Sequence, residues 1–294
     1  MSTVDRDRAR AAFEAYVEPY DIANPRIALK VAHTYRVAAI AERIAAAEGW
    51  SAADVDLAWL CGLLHDIGRF EQLRLWDTFR DAGSASHAAL GEAVLAGSDP
   101  AGVPANAPAL ADPAPARHPS CPLPGSGALR SFVDASPDDA LILASVAQHS
   151  AFRVEAGLDA RTIAFCDLAR DADKVDILRV NCENTPMTIL GATDAEFLAS
   201  GFSRPALQAF AERRCIARDE RREPADQLLG MVCFVFELVY PESLRIVREQ
   251  GHLDRLLRCP FGVCEPFARA DARAAWARVG REVEAWMDGR LRSS

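Results

Sequence analysis

Four histidines and two aspartates in this sequence pair metal-binding chemistry with inward placement. His33 is in register with Val37, Ile40 and Ile44, and His65 with Leu57, Cys61 and Leu64. His87 shares a face with Leu90, Gly91 and Val94, and His149 follows Ile142 and Val146. Asp173 follows Cys166 and Ala169, and Asp66 adjoins His65. Spacings of three, four and seven residues put these side chains on the apolar faces of helices. An ionised carboxylate in a core is costly unless it is paired or binds a metal. One inward histidine alone reads as a core residue bonded to a carbonyl. Four, with two aspartates, on five helices read as ligands. Neutral imidazole nitrogens and carboxylate oxygens suit zinc, manganese or iron, and helical bundles build metal sites from side chains that converge from facing helices.

The elements that must position these groups are all helical. Asn24-Pro25 supplies a capping residue and a proline for the first helical position, so a helix is expected from there to about Glu48, stopped by Gly49. Ser51 to Asp54 resembles a capping box and opens a helix ending near His65. Ser86 caps a helix through Leu95. Ser136-Pro137-Asp138-Asp139 starts one that leads to His149, with acids where the helix dipole favours them. Another runs from near Asp159 through Asp173 towards Val180. Further helical stretches are expected near 193–199, 203–217, 224–240, 241–257 and 268–288. No run of alternating apolar residues argues for strands, so the fold class is all-α.

The 294 residues suit one large domain or a domain with an extension. The net charge of −9 speaks against nucleic-acid binding over the whole surface. MSTVDRDRAR has no apolar run after its charges, so no signal peptide is expected. The longest apolar stretch, Leu228 to Tyr240, is too short to span a membrane and contains Glu237, which makes it a candidate buried helix. Phe234 and Phe236 within it read as core. Eight cysteines without a CxxC pair suggest a reduced, cytoplasmic protein; Cys259 and Cys264 are spaced for a zinc or redox pair, but unspecifically. Ser98 to Ala128 carries eight prolines and reads as a mobile inserted loop, with His118 and Cys121 as solvent-exposed residues. Its removal is expected to leave folding and metal content intact.

An isolated His, an adjacent His-Asp at a helix end and a distant Asp resemble the signature of the HD superfamily of metal-dependent phosphohydrolases. The carriers are KVAHTYRV (His33), LLHDIGRF (His65, Asp66) and RDADKVDIL (Asp173), and the resemblance covers about residues 25–180. It implies an HD-domain helical bundle over 1–183, followed by a helical C-terminal extension, 184–294, packed on that core. SHAALGEAVL (His87) and VAQHSAF (His149) look like the extra histidines of HD proteins that hold two metals. In that pattern His33, His65, Asp66 and Asp173 hold one ion, and Asp66 bridges to a second on His87 and His149. With one ion, the last two histidines contact substrate instead. The family pattern selects Asp173 over Asp171, which reads as a surface charge, and Asp176, one turn on, orients a ligand or contacts a ribose hydroxyl.

The resemblance implies hydrolysis of a phosphoester or phosphoanhydride by a metal-activated water, with His65, Asp66 and Arg69 catalytic. The divalent ion, Mn, Fe, Zn, Mg or Co, is left open. Arg69, Arg36 and Lys174 are candidate partners of substrate phosphate, each with the plainer reading of a solvated helix charge. Arg69 stands where the 5′-deoxynucleotidase branch has Glu, and the Gly-Tyr-Pro stretch of the cyclic-di-GMP phosphodiesterase branch is absent, so neither substrate carries over. The expected partner is a small phosphorylated molecule, a nucleotide by preference, with no membrane and no stable nucleic-acid complex; oligomeric state stays open. Two alternatives remain: a di-iron oxygenase using the same ligands, and a non-catalytic nucleotide-binding sensor.

Overall fold

The computed structural model describes residues 3–111, 113 and 127–293. The chain divides into two compact units, Met1–Asp173 and Lys174–Ser294. No sheet occurs among the described residues, which carry a single isolated bridge, Ala85 to Ala105. The first unit is built from α1 (Arg6–Val17), α2 (Pro25–Ala47), α3 (Ala52–Leu64), α4 (Gly68–Trp76), α5 (His87–Ala96), α6 (Leu129–Phe132), α7 (Asp139–Gln148) and the start of α8 (Ala160–Glu183).

The start and stop signals act as their chemistry requires. Asn24 accepts from Arg26 N, with Pro25 at the first helical position, and α2 ends before Gly49 at φ 72°. Ser51 caps α3 through Asp54 N, and Ser86 caps α5 through Ala89 N. α2 and α3 lie closely against each other: a Cβ on Gly62 would stand 2.8 Å from the Ala38 Cα.

Three helices of this unit, α1, α4 and the short α6, lie where the sequence marked none. α1 is capped by Asp5 and packs Phe13 and Tyr16 edge-on against Phe70 of α4, at 6.0 and 5.8 Å between ring centres. Tyr16 Oη also donates to the Ile67 carbonyl at 3.1 Å, so α1 secures the turn after the His-Asp pair. α4 begins directly beyond that turn, at Gly68.

Within the proline-rich segment, residues 98–111 make specific contacts: Asn106 N donates to Ser84 O at 2.7 Å and Leu110 N to Leu75 O at 2.8 Å. His118 and Cys121 lie outside the described residues.

The second unit continues α8 and adds α9 (Pro186–Leu190), α10 (Asp194–Ala199), α11 (Arg204–Ala211), α12 (Pro224–Val232), α13 (Pro241–Gln250), α14 (His252–Arg258) and α15 (Ala270–Arg292). The expected stretch 203–217 stops at Ala211, and 241–257 breaks at Gly251, which takes φ 66°. The apolar run 228–240 is not one helix. α12 ends at Val232, a 3-10 turn covers Cys233–Glu237, and the Leu238 backbone is extended. A run apolar on every side has no 3.6-residue period from which its pitch could be read. Phe236 packs against Phe210 and Trp286, with ring centres at 5.5 and 5.0 Å.

Cys259 and Cys264, for which a zinc or redox pair stood open in a chain otherwise expected to be reduced, are joined by a disulfide across the 3-10 turn Pro260–Gly262. Two cysteines five residues apart say nothing of their separation until the turn between them is known. Cys61, Cys166, Cys182, Cys215 and Cys233 are free and buried. No helix among the described residues is long and apolar enough to cross a membrane.

Candidate metal centre

Each ligand candidate comes from a helix end or a buried helix face of the first unit. His33 lies on the inner face of α2, and His65 is the C-terminal cap of α3. His87 is the first residue of α5, and His149 caps α7. Asp66 sits in the turn between α3 and α4, and Asp173 lies on α8. All four imidazoles and Asp66 are buried, while Asp173 is half-buried.

Asp66 is the centre of the arrangement. Its Oδ2 faces His33 Nε2 at 3.7 Å and His65 Nε2 at 3.6 Å. Its Oδ1 faces His87 Nε2 and His149 Nε2, each at 3.6 Å. The carboxylate therefore takes part in two groups, His33–His65–Asp66 and Asp66–His87–His149. Within each group the candidate ligand atoms lie within 4.8 Å of one another. Asp173 completes the first group, with Oδ1 at 3.0 Å from His33 Nε2 and 3.7 Å from His65 Nε2.

The donor set fits divalent metal. His65 Nδ1 donates to Gly62 O and His149 Nδ1 to Val146 O, both at 2.7 Å. His87 Nδ1 donates to the Asp81 carboxylate at 2.9 Å. A neutral imidazole with its proton on Nδ1 presents a lone pair at Nε2. The lone pairs of His87 and His149 point at each other, with their Nε2 atoms 3.0 Å apart, while His33 Nε2 lies 3.0 Å from Asp173 Oδ1 and 3.3 Å from His65 Nε2. Two lone pairs so placed repel unless a proton or a cation comes between them, and a hydrogen bond at the distal nitrogen is the usual way to aim an imidazole at a metal.

The electrostatics point the same way. Burial pushes His65 down to about 3 and His87 down to about 4. Burial works against ionisation of Asp66, but Lys30, His65 and Arg69 hold it well below the ordinary carboxylate range. Asp173 is likewise held low against its burial by the hydrogen bond to His33 and by the His65 charge. At neutral pH His65 and His87 are thus neutral and Asp66 and Asp173 charged, the protonation states that ligate metal.

A consequence for the metal-free protein follows. An unfolded histidine titrates near 6.5, so between 6.5 and about 3–4 the unfolded chain binds protons that His65 and His87 refuse when folded. Stability is then complete above 6.5 and declines as pH falls towards 4. The urea midpoint of chelator-treated protein is expected to drop steadily from pH 7 to pH 4; a flat midpoint from 7 to 5 would mean that both imidazoles titrate normally.

Several residues at this site were not singled out in the sequence. Lys30 Nζ bonds Asp66 Oδ2 at 2.6 Å and lies 5.6 Å from the centre of the Phe79 ring. Its only sequence signal was its place one turn before His33. Asp81, six residues before His87, carries no helical periodicity to mark it. Gln72 is buried and donates to Asp81 Oδ1, Ser84 Oγ and Ala85 O at 2.8, 2.8 and 3.0 Å.

Arg69 joins the cluster through Asp66 Oδ1 at 3.2 Å, and also donates to Gln72 Oε1 and Phe79 O at 2.8 and 2.7 Å. Arg36 is on the exposed face of α2 and shows no bond to the cluster among the described residues. Lys174 and Asp176 belong to the second unit, where Lys174 pairs with Glu237 at 3.2 Å and Asp176 with Arg179 at 2.7 Å. Asp171, expected at the surface, is buried instead. It immediately precedes the inward Ala172, and one residue of helix is too little to settle which face a side chain takes.

The HD domain family matches residues 31–99. That segment runs from the His33 face of α2 through the His-Asp turn to just beyond α5. No curated protein matches the chain, and no solved structure does.

Proposed function

We propose that this chain, whose residues 31–99 match the HD domain family, hydrolyses a phosphoester or phosphoanhydride bond of a small substrate, a nucleotide by preference, at a two-ion centre. The carrying observation is the division of labour on Asp66, whose two oxygens each face a different histidine pair. On this reading His33, His65, Asp66 and Asp173 hold one ion, and Asp66, His87 and His149 hold the other. A bound divalent ion supplies Lewis acidity and lowers the pKa of a coordinated water from about 15.7 to about 7.

The chain's own side chains supply the remainder. Lys30 and Arg69 bring two cations to Asp66 and remain 14% and 16% exposed, against 3% for the Asp66 side chain, so they stand on the solvent side of it. Phosphoryl oxygens gaining negative charge are stabilised by cations held in such positions. The Arg69 head is fixed by Gln72 and the Phe79 carbonyl, so little reorganisation is needed when an anion arrives. Asp81 and the carbonyls of Gly62 and Val146 keep three imidazoles in the tautomer that leaves Nε2 open. Lys174, a candidate partner of substrate phosphate, and Asp176, a candidate to orient a ligand or contact a ribose hydroxyl, stay secondary to Lys30 and Arg69 here because they pair with Glu237 and Arg179 and not with Asp66.

An iron-dependent oxygenase would use the same six ligands. The two cations are what favour a phosphorylated substrate over it. The test is elemental analysis of purified protein, wild type beside His149→Ala, combined with phosphate release from nucleoside polyphosphates. We expect about two ions in wild type and about one in the variant, with turnover lost in the variant. A single ion unchanged by His149→Ala would assign His149 to substrate and leave a one-metal phosphohydrolase. Oxygen consumption without phosphate release would reject hydrolysis.

A further inference from the structure

The geometry assigns residues 104–110 of the proline-rich segment a positioning role: they brace the loop that aims His87 at the second ion. The inference rests on the two-ion reading above. His65 and His149 sit at the C-terminal ends of helices, so each places its Nδ1 proton on a carbonyl three residues earlier in the same helix. Their aim therefore comes with the helix. His87 is the first residue of α5, and the residues before it form a loop rather than a helical turn. Its Nδ1 proton goes to the Asp81 carboxylate instead, 2.9 Å from either oxygen. The orientation of His87 is thus only as firm as the loop that carries Asp81.

That loop is held on two sides. From within, Gln72 ties Asp81, Ser84 and Ala85, and Arg69 holds the Phe79 carbonyl. From the other side comes the segment that follows α5. Asn106 Nδ2 donates to Asp81 O at 2.9 Å, and Asn106 N donates to Ser84 O at 2.7 Å. One residue therefore spans both ends of the 3-10 turn Asp81–Gly83. Ala105 pairs with Ala85 across the isolated bridge. Trp76 Nε1 donates to Ala107 O at 2.9 Å, and Leu110 N to Leu75 O at 2.8 Å, so the end of α4 that leads into the loop is fastened as well. These bonds of residues 104–110 run to the loop and to the end of α4, and not to α2, α3 or α8, whose His33, His65 and Asp173 join Asp66 at the first ion. Releasing the brace should therefore loosen the second ion and spare the first. Removing 98–128 would weaken the second ion too, against the expectation drawn from its composition.

The test is a titration of the metal-free full chain with cobalt(II), followed by visible absorbance and checked by elemental analysis. Wild type is compared with Asn106→Ala and with a variant whose residues 104–110 are replaced by an equal length of Gly and Ser. Losing the partner of a ligating histidine costs about 10–100-fold in metal affinity, and a loosened partner should fall at the low end. We expect the second equivalent to bind about 10-fold more weakly in the replacement variant and a few-fold more weakly in Asn106→Ala, with the first equivalent unchanged. Second-equivalent binding as tight as wild type in both variants overturns the brace and leaves the two-ion centre intact. Equal weakening of both equivalents also overturns it, since the segment would then support the whole domain. Should the replacement variant not fold, Asn106→Ala, a single change at an exposed residue, still decides the matter. A wild type that takes up one equivalent only removes the two-ion reading and the brace with it.

Discussion

Asp66→Asn is expected to empty both metal positions and to lower turnover by about three orders of magnitude. The amide keeps the size of the carboxylate but removes the charge that both groups share. Asp66 is the one residue common to the two groups, so no other single change should strip both ions. The rate estimate follows from the several kcal/mol that metal contributes to the transition state, at about 1.4 kcal/mol per decade. The substitution also leaves Lys30 and Arg69 facing a neutral group, with Lys30 Nζ 2.6 Å from the altered side chain. Breaking one side of a buried charge cluster typically costs about 3–5 kcal/mol, to be reduced here because both cations retain some exposure. Elemental analysis and a thermal melt of the metal-free form separate the two effects. The variant should bind no ion even where its melt shows that it is folded. A folded Asp66→Asn that retains one ion would show that His33, His65 and Asp173 suffice, and that Asp66 serves the second position alone.

The second large effect is expected from Gly68→Ala. Alanine in place of glycine inside a helix normally stabilises by about 1 kcal/mol. Here a Cβ would stand 2.2 Å from the His87 carbonyl oxygen and 2.3 Å from Gly91 N, both backbone atoms. Neither can rotate away, so α4 and α5 must separate. Overpacking of this kind costs about 1–3 kcal/mol and occasionally more, and we expect the upper part of that range because the clash is backbone to backbone. At about 2–4 °C per kcal/mol, the melting temperature should fall by roughly 6–12 °C. Because His87 itself begins α5, the second ion should also bind more weakly. Gly91→Ala meets the Val146 Cγ1 side-chain atom at 3.0 Å and should cost less, while Gly280→Ala on α15 meets nothing within 4 Å and should be neutral or stabilising. Equal melting temperatures for Gly68→Ala and Gly280→Ala would show that the α4–α5 contact is not so close.

Helical periodicity determined from the sequence alone that four histidines turn inward, though it misplaced Asp171, because an apolar stripe recurs every 3.6 residues and a buried ionisable group stands out against it. His33, His65, His87 and His149 were legible for that reason, and so were the caps Asn24, Ser51 and Ser86, whose chemistry acts within three residues. The all-α class followed from the same period. Distances between helices have no such local signature. That Asp66 offers one oxygen to each histidine pair depends on how α2, α3, α5, α7 and α8 come together, and no spacing along the chain encodes it. Lys30 looked like any solvated charge until α2 met the turn after α3. Asp81 and Asn106 lie in loops without periodicity, and their roles arise from pairing between segments about twenty-five residues apart. The composition of 98–128 argued for a loop without fixed partners, because proline-rich chain buries little apolar surface. The contacts of 104–110 are hydrogen bonds to a neighbouring loop, a kind of order that composition does not report and that tertiary structure alone decides.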